Sequence, residues 1–143
     1  MPDTLAAQVG GLVWVLVCLF AVIKGDWPER FAGAFLIAAW IATVFGQLNG
    51  PAGRPQYVIM AVDVVVLAMF VVLAWRSQKL WLIWAAGLAA ITVASHGAYA
   101  LDHRIRLYTY AVANIGSSYG YLISLAVGTW QAWRTRERLR QHL

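Results

Sequence analysis

Five long apolar runs, separated by short polar breaks, constrain this chain more than any other feature of its sequence. A helix needs about 20 mainly apolar residues to cross a bilayer, whose hydrocarbon offers no water to an unpaired backbone group. The pattern therefore predicts an all-α fold: a single domain over residues 1–143, built as a bundle of five transmembrane helices. The predicted spans cover residues 5–23, 31–48, 57–75, 80–101 and 107–133.

The breaks and the composition support this prediction. NGPAGRPQ carries two prolines and two glycines, which is a strong turn signal, whereas KGDWPER, RSQK and DHRIR are short and polar. Short loops make consecutive helices antiparallel neighbours. Only 12% of the residues are charged, against about 25% in a soluble domain. Lipid is therefore expected to solvate much of the surface.

The basic residues predict an orientation, because lysine and arginine concentrate in cytoplasmic loops. Eight of them fall on one side of the predicted bundle and three on the other, so the N-terminus is predicted outside and the C-terminus in the cytoplasm. The larger set is Lys24, Arg30, Arg76, Lys79, Arg134, Arg136, Arg138 and Arg140, and the smaller set is Arg54, Arg104 and Arg106. The four arginines of the tail, from Arg134 to Arg140, are predicted to touch anionic lipid headgroups.

Small residues recur at every fourth position in three of the spans, which places them on one face of each helix. Such a face lets two backbones approach closely, either within one chain or between copies of it. Both interpretations remain open from the pattern alone. The series are Ala34, Ala38, Ala42 and Gly46; Ala86, Ala90, Ala94 and Ala98; and Gly116, Gly120, Ser124 and Gly128.

The polar residues of the spans gather in the outer half of the predicted bundle. Asp63 and His96 each lie roughly 8 to 9 Å from the outer end of their spans, at 1.5 Å per residue. Ionisable residues at such depths usually face the bundle interior and a partner. An outward-opening polar pocket is therefore predicted, with Asp63 and His96 as its ionisable members. Its other members are Thr92, Asn114, Ser117, Ser118 and Tyr121.

A purely structural interpretation stands beside the pocket. Asp63 could reach the outer surface or pair with an arginine there, and His96 could bond to a single carbonyl. That outer surface carries four ionisable residues, which are Asp102, His103, Arg104 and Arg106.

Specific chemistry has little support in the sequence. The letters GSSYG at 116–120 match a nucleophile elbow, but they lie within a predicted helix rather than at a strand-to-helix turn. An intramembrane serine hydrolase of Ser118, His96 and Asp63 is a remote alternative, as is a haem or quinone held by His96. No cofactor, no metal site and no nucleic-acid partner is predicted.

The segments VIKGDWPERFAGA and DVVVLA, followed by WRSQKLWLIWAAGLAAITVASH, resemble small uncharacterised polytopic membrane proteins of alphaproteobacteria. The resemblance covers most of the chain and implies a bacterial inner membrane, but no activity. The small size, the small-residue faces and the missing catalytic signature favour a non-enzymatic accessory or binding subunit of a membrane assembly, or a homo-oligomer. Passage of protons, ions or a small solute through the polar pocket is the alternative.

Overall fold

The computed structural model describes residues 5–49, 57–101 and 107–142. The described residues form five helices and no strand, so the all-helical prediction is confirmed. The helices are α1 (Leu5–Lys24), α2 (Trp27–Asn49), α3 (Tyr57–Ser77), α4 (Leu80–Leu101) and α5 (Leu107–Gln141).

α2 and α5 extend well beyond the bounds that hydropathy predicted, whereas the other helices differ from them by at most two residues. α2 begins at Trp27 rather than at residue 31, because proline is tolerated in a first helical turn, where backbone N–H groups have no intrahelical partner. Asp26 precedes this turn and its carbonyl accepts the backbone N–H of Arg30 at 2.9 Å, the first bond of the helix. α5 runs on through the basic tail to Gln141, so these arginines continue a helix of 35 residues.

Consecutive helices pack against each other as neighbours, and α1 also packs against α5, which closes the bundle. Residues Ser77 to Lys79 connect α3 and α4, where Gln78 takes a left-handed backbone conformation with φ of 51°. One end of the bundle, the basic end, therefore combines the α1–α2 turn, the α3–α4 turn and the C-terminal part of α5. The opposite end combines the end of α2, the start of α3, the end of α4 and the start of α5.

The surface is apolar along most of the helices. Three of the described helices are long and apolar enough to cross a membrane, namely Trp27–Gly46, Tyr57–Ser77 and Leu80–Leu101, and a shorter apolar stretch covers Gln8–Lys24. Large apolar side chains point outward, as expected for a chain that lipid surrounds. Examples that are at least half exposed are Leu12, Phe45, Val72, Ile91 and Ile123.

The core is centred on Phe70 of α3, which is fully buried. Its ring meets Trp81 of α4 edge-on at 6.5 Å between centroids and Tyr121 of α5 at 5.6 Å. Trp14 of α1 meets Tyr121 edge-on at 5.7 Å. Because lipid tails are as apolar as these rings, close packing rather than exclusion of water must hold the helices together.

Two glycines of α5 allow its closest contacts with α4. A Cβ atom added at Gly128 would lie 2.5 Å from the ring of Trp81, and one added at Gly120 would lie 2.8 Å from a methyl group of Leu88. Ser124 between them is half-buried and donates its hydroxyl to the carbonyl of Gly120. Gly116 differs from the rest of its series, since no atom lies within 4 Å of its added Cβ.

Most alanines of the α2 and α4 series face away from the bundle. Ala34, Ala38 and Ala42 of α2 are exposed, and only Gly46 meets a neighbour, Val58 of α3. α2 instead buries the face that carries Ala32, Gly33 and Leu36, because its partners α1 and α3 lie on that side. In α4 only Ala86 is partly buried, and the exposed members are Ala90, Ala94 and Ala98.

Candidate functional site

Three side chains from three helices form a hydrogen-bonded cluster near the opposite end of the bundle. His96 Nε2 lies 2.7 Å from Asp63 Oδ2, and His96 Nδ1 lies 2.7 Å from the hydroxyl of Tyr110. The side chains of His96 and Asp63 are only 10% and 17% exposed. The structure thus brings together the two ionisable residues that the sequence placed at one depth, and adds Tyr110 as a third member.

Aromatic packing holds this cluster in place. The rings of His96 and Tyr110 meet edge-on, with centroids 5.4 Å apart. Tyr99, one turn after His96 on α4, stacks on Tyr110 at 4.9 Å. The imidazole is therefore fixed by two hydrogen bonds and by the ring that packs against it.

The cluster can hold either protonation state of the imidazole without losing a hydrogen bond. In a neutral ring, Nε2–H donates to the Asp63 carboxylate while Nδ1 accepts the Tyr110 hydroxyl. In a charged ring both nitrogens donate, and the Tyr110 hydroxyl rotates to accept, because a phenol can act as donor or acceptor. Asp63 is an acceptor in both arrangements.

The remaining residues of the predicted pocket line the interior below this cluster. Thr92 and Ser117 are buried, and the Thr92 hydroxyl donates to the carbonyl of Leu88. Tyr121 is buried and Ser118 is half-buried. The buried side-chain oxygen of Asn114 has no hydrogen-bond partner among the residues that the structure describes.

The two ring nitrogens of His96 are hydrogen-bonded to Asp63 and to Tyr110 rather than to Ser118. The letters GSSYG lie inside α5, whose helix is continuous there. Within the described ranges, no three His, Cys, Asp or Glu side chains converge as a metal site.

The tail arginines that were predicted to contact lipid headgroups have different surroundings in the structure. Arg134 stacks over the ring of Trp130 at 4.4 Å, and Arg138 and Arg140 are exposed. Arg136 is instead only partly exposed and donates to the carbonyl of Lys24 at the end of α1. The predicted outer ionisable residues Asp102, His103, Arg104 and Arg106 lie outside the described residues.

Sequence reasoning missed a second polar cluster, at the basic end. Glu29 is fully buried. Its carboxylate accepts Lys79 Nζ at 2.8 and 3.0 Å, the indole N–H of Trp81 at 2.9 Å, and the backbone N–H of Asp26 at 3.0 Å. The last bond is one half of a capping box, in which the third residue of a helix reaches back to its N-cap. We name Asp26, Glu29, Lys79, Trp81 and Arg136 the ion network.

Asp26 links the ion network to α5. Its Oδ2 lies 3.4 Å from Lys79 Nζ, and its Oδ1 lies 3.2 Å from Arg136 Nε. The α1–α2 turn, the α3–α4 turn and α5 are therefore joined by charge as well as by packing. The sequence carried one usable signal for this, the spacing D-x-x-E of the capping box in KGDWPER.

Comparison of the chain with protein-family models, with curated proteins and with solved structures gave no match.

Proposed function

We propose that the chain is a five-span protein of a bacterial inner membrane, with its N-terminus outside and its C-terminus in the cytoplasm. The concentration of eight basic residues at the basic end supports this orientation, because positive loops stay in the cytoplasm. A cytoplasm-active reporter fused after Leu143 should work, and a cysteine at Gly53 should react with an impermeant reagent from outside. A tail reporter that works only in the periplasm would reverse the orientation.

We further propose that the protein acts as a non-enzymatic accessory or binding subunit, in contact with other membrane chains or with copies of itself. One observation carries this proposal: the alanines of α2 and α4 face away from the bundle at four-residue spacing. Small residues on an outward face bring no packing advantage against fluid lipid, but they let another helix approach closely. The faces are formed by Ala34, Ala38 and Ala42, and by Ala90, Ala94 and Ala98.

The association is tested by the size of the particle extracted in mild detergent from the cells that make the protein. The wild-type chain should run as an assembly larger than one copy, and Ala38→Leu should shift it toward the monomer. Ala68→Leu is the matched control, because Ala68 is also exposed but lies on α3, outside both alanine series. A wild-type monomer, or equal behaviour of both variants, would remove the proposal.

Proton binding at the cluster of Asp63, His96 and Tyr110 is a second candidate function. The observation that favours it is the hydrogen-bond geometry, which accommodates a neutral and a charged imidazole equally. Passage through the bundle has less support, since Val66, Met69, Phe70 and Leu73 of α3 are buried and apolar between this cluster and the basic end.

Solid-state NMR of the reconstituted protein separates binding from passage. The nitrogen signals of His96, assigned by their loss in His96→Gln, should change between the neutral and charged forms as the pH is varied. Signals that never change while the protein stays folded would exclude proton binding. Proton flux into vesicles, measured on the same samples, would have to exceed that of empty vesicles before passage is considered.

A further inference from the structure

A cavity of about 580 Å³ opens at the basic end, beside the ion network. It lies between the start of α2 and the C-terminal part of α5. It is an open depression on the surface rather than an enclosed cavity. We name it the basic cavity, and its lining residues are Gly25, Asp26, Trp27, Arg30, Phe31 and Arg136.

The walls of the basic cavity are held by the turn that precedes α2. Arg30 donates its Nε to the carbonyl of Gly25 at 2.9 Å, which fixes the guanidinium against the turn. Its two terminal amino groups have no partner among the residues that the structure describes. Gly25 is itself tightly enclosed, since an added Cβ would clash with the carbonyl of Ala21 and with Glu29. Arg30 is therefore positioned by the backbone yet retains free donors.

The charges around the basic cavity favour an anion. Of the five charged side chains of the cavity and the ion network, three are positive (Arg30, Lys79, Arg136) and two are negative (Asp26, Glu29), so the net charge is +1. Both carboxylates already face cations at 2.8 to 3.4 Å, whereas Arg30 has no acidic partner among the described residues. A guanidinium with free amino groups matches the oxygens of a phosphate in a bidentate arrangement.

An aromatic strip leads from the basic cavity along α2. Trp27 and Phe31 are stacked with centroids 6.3 Å apart, and Phe31 and Phe35 follow at 6.1 Å, both pairs inclined by 25°. Trp27 and Phe31 are 58% and 48% exposed. The strip continues from the charged cavity toward the apolar middle of α2, so one ligand with a charged head and an apolar tail could contact both.

We propose that the basic cavity binds the phosphate headgroup of an anionic phospholipid, with an acyl chain along Trp27, Phe31 and Phe35. Arg30 is the principal phosphate contact, and Arg136 adds positive charge from α5. The proposal rests on the membrane placement proposed above and assigns one lipid of the adjacent leaflet to a defined site.

The test measures lipid binding to the purified, delipidated full chain by native mass spectrometry. Phosphatidylglycerol and phosphatidylcholine with identical acyl chains are titrated in parallel, with inorganic phosphate as a third probe. One phosphatidylglycerol should bind per chain, at least about fivefold more tightly than phosphatidylcholine, the preference expected from one basic residue. Equal affinity for the two lipids would overturn the proposal. Displacement of the lipid by millimolar phosphate would likewise overturn the acyl contact and leave a free-anion site.

Matched variants locate the site. Arg30→Gln should weaken phosphatidylglycerol binding by about fivefold, whereas Arg138→Gln, which removes the same charge from the exposed tail, should change it less than twofold. An equal loss of phosphatidylglycerol affinity in both variants would mean that any positive charge attracts the lipid, and it would overturn the assigned site. Phe31→Ala keeps every charge and should weaken both lipids together without changing the preference for phosphatidylglycerol. If Phe31→Ala leaves both affinities unchanged, the aromatic strip has no part in binding.

Membrane insertion is scored first, by resistance of the reconstituted chain to alkaline extraction. A chain that is extracted would overturn the membrane placement and the lipid site together. A resistant chain without preference for phosphatidylglycerol would overturn the lipid site alone.

Discussion

The two polar clusters lie at opposite ends of one bundle and are built on different principles. At the basic end, Glu29 is fully buried and accepts hydrogen bonds from Lys79, Trp81 and the backbone of Asp26. Near the other end, Asp63 and His96 keep some exposure, and each hydrogen bond survives a change of protonation.

The two clusters differ in how many hydrogen-bonding arrangements each one allows. The Glu29 carboxylate accepts hydrogen bonds from an ammonium, an indole N–H and a backbone N–H, none of which can act as an acceptor, so the ion network has one hydrogen-bonding arrangement. The cluster of Asp63, His96 and Tyr110 has two states with equal hydrogen bonding. The first arrangement joins three chain segments, whereas the second is the arrangement on which the proposed proton binding rests.

The sharpest test of this comparison is removal of the Glu29 carboxylate. Glu29→Ala should lower the free energy of unfolding by about 3 to 5 kcal/mol, because it removes the acceptor of the Trp81 N–H and the nearer of the two carboxylates that face the Lys79 ammonium. The measurement is denaturant unfolding in a fixed detergent or bicelle. Glu137→Ala is the control, since the half-buried Glu137 makes no hydrogen bond with the described residues, and it should change the value by about 0.5 kcal/mol or less. Similar losses for both variants would contradict a fixed ionic state at the basic end.

A smaller effect is expected at the other cluster. Asp63→Asn and His96→Gln should each cost about 1.5 to 3 kcal/mol, the range for a hydrogen bond to a charged group. The double variant should cost less than the sum, with a coupling of about 0.5 to 3 kcal/mol in a double-mutant cycle. Ser95→Ala, which removes only a hydroxyl bonded to its own helix, is the control. Additive losses would mean that the two residues act independently.

The smallest effects come from the glycines of α5, and they should decrease away from the basic end. Gly128→Ala should cost about 1 to 3 kcal/mol by overpacking, because the ring of Trp81 is held by Glu29 and cannot yield. Gly120→Ala should cost less, since it meets only the flexible end of Leu88. Gly116→Ala meets open space and should stabilise by about 0.5 to 1 kcal/mol through helix propensity. The free energies of unfolding of the three variants are compared in detergent. A reversed order would show that the basic end is not the more rigid one.

Hydropathy predicted much of the fold because apolar runs and polar breaks alternate so clearly. The predicted fourth span, residues 80–101, has the bounds of α4, and the depth of Asp63 and His96 followed from counting residues along their spans. Tyr110 was not placed in the pocket, although it lies only four residues before Asn114 in the same span. Which way a residue faces around the helix axis depends on neighbours that the sequence does not specify.

At the charged break of residues 24–30, the sequence did not predict the structure. Its charges and proline were interpreted as a loop, yet four of these residues, Trp27 to Arg30, form the first turn of α2. Glu29 could not be placed inside the bundle, because its partners Lys79 and Trp81 lie 50 and 52 residues away in sequence. The alanine series were recognised as faces, but a four-residue period does not say whether a face points inward or outward.

The length of α5 has a mechanical consequence. Its 35 residues extend about 52 Å at 1.5 Å per residue, whereas the hydrocarbon of a bilayer is about 30 Å thick. In the proposed five-span placement, some 20 Å of this helix lies outside the hydrocarbon, where Arg136 donates a hydrogen bond to the carbonyl of Lys24 at the end of α1. Because this segment continues α5 without a break, a tilt of a few degrees of α5 in the bilayer would displace Arg140 sideways by ångströms. A spin label at Arg140 would therefore report the orientation of the bundle.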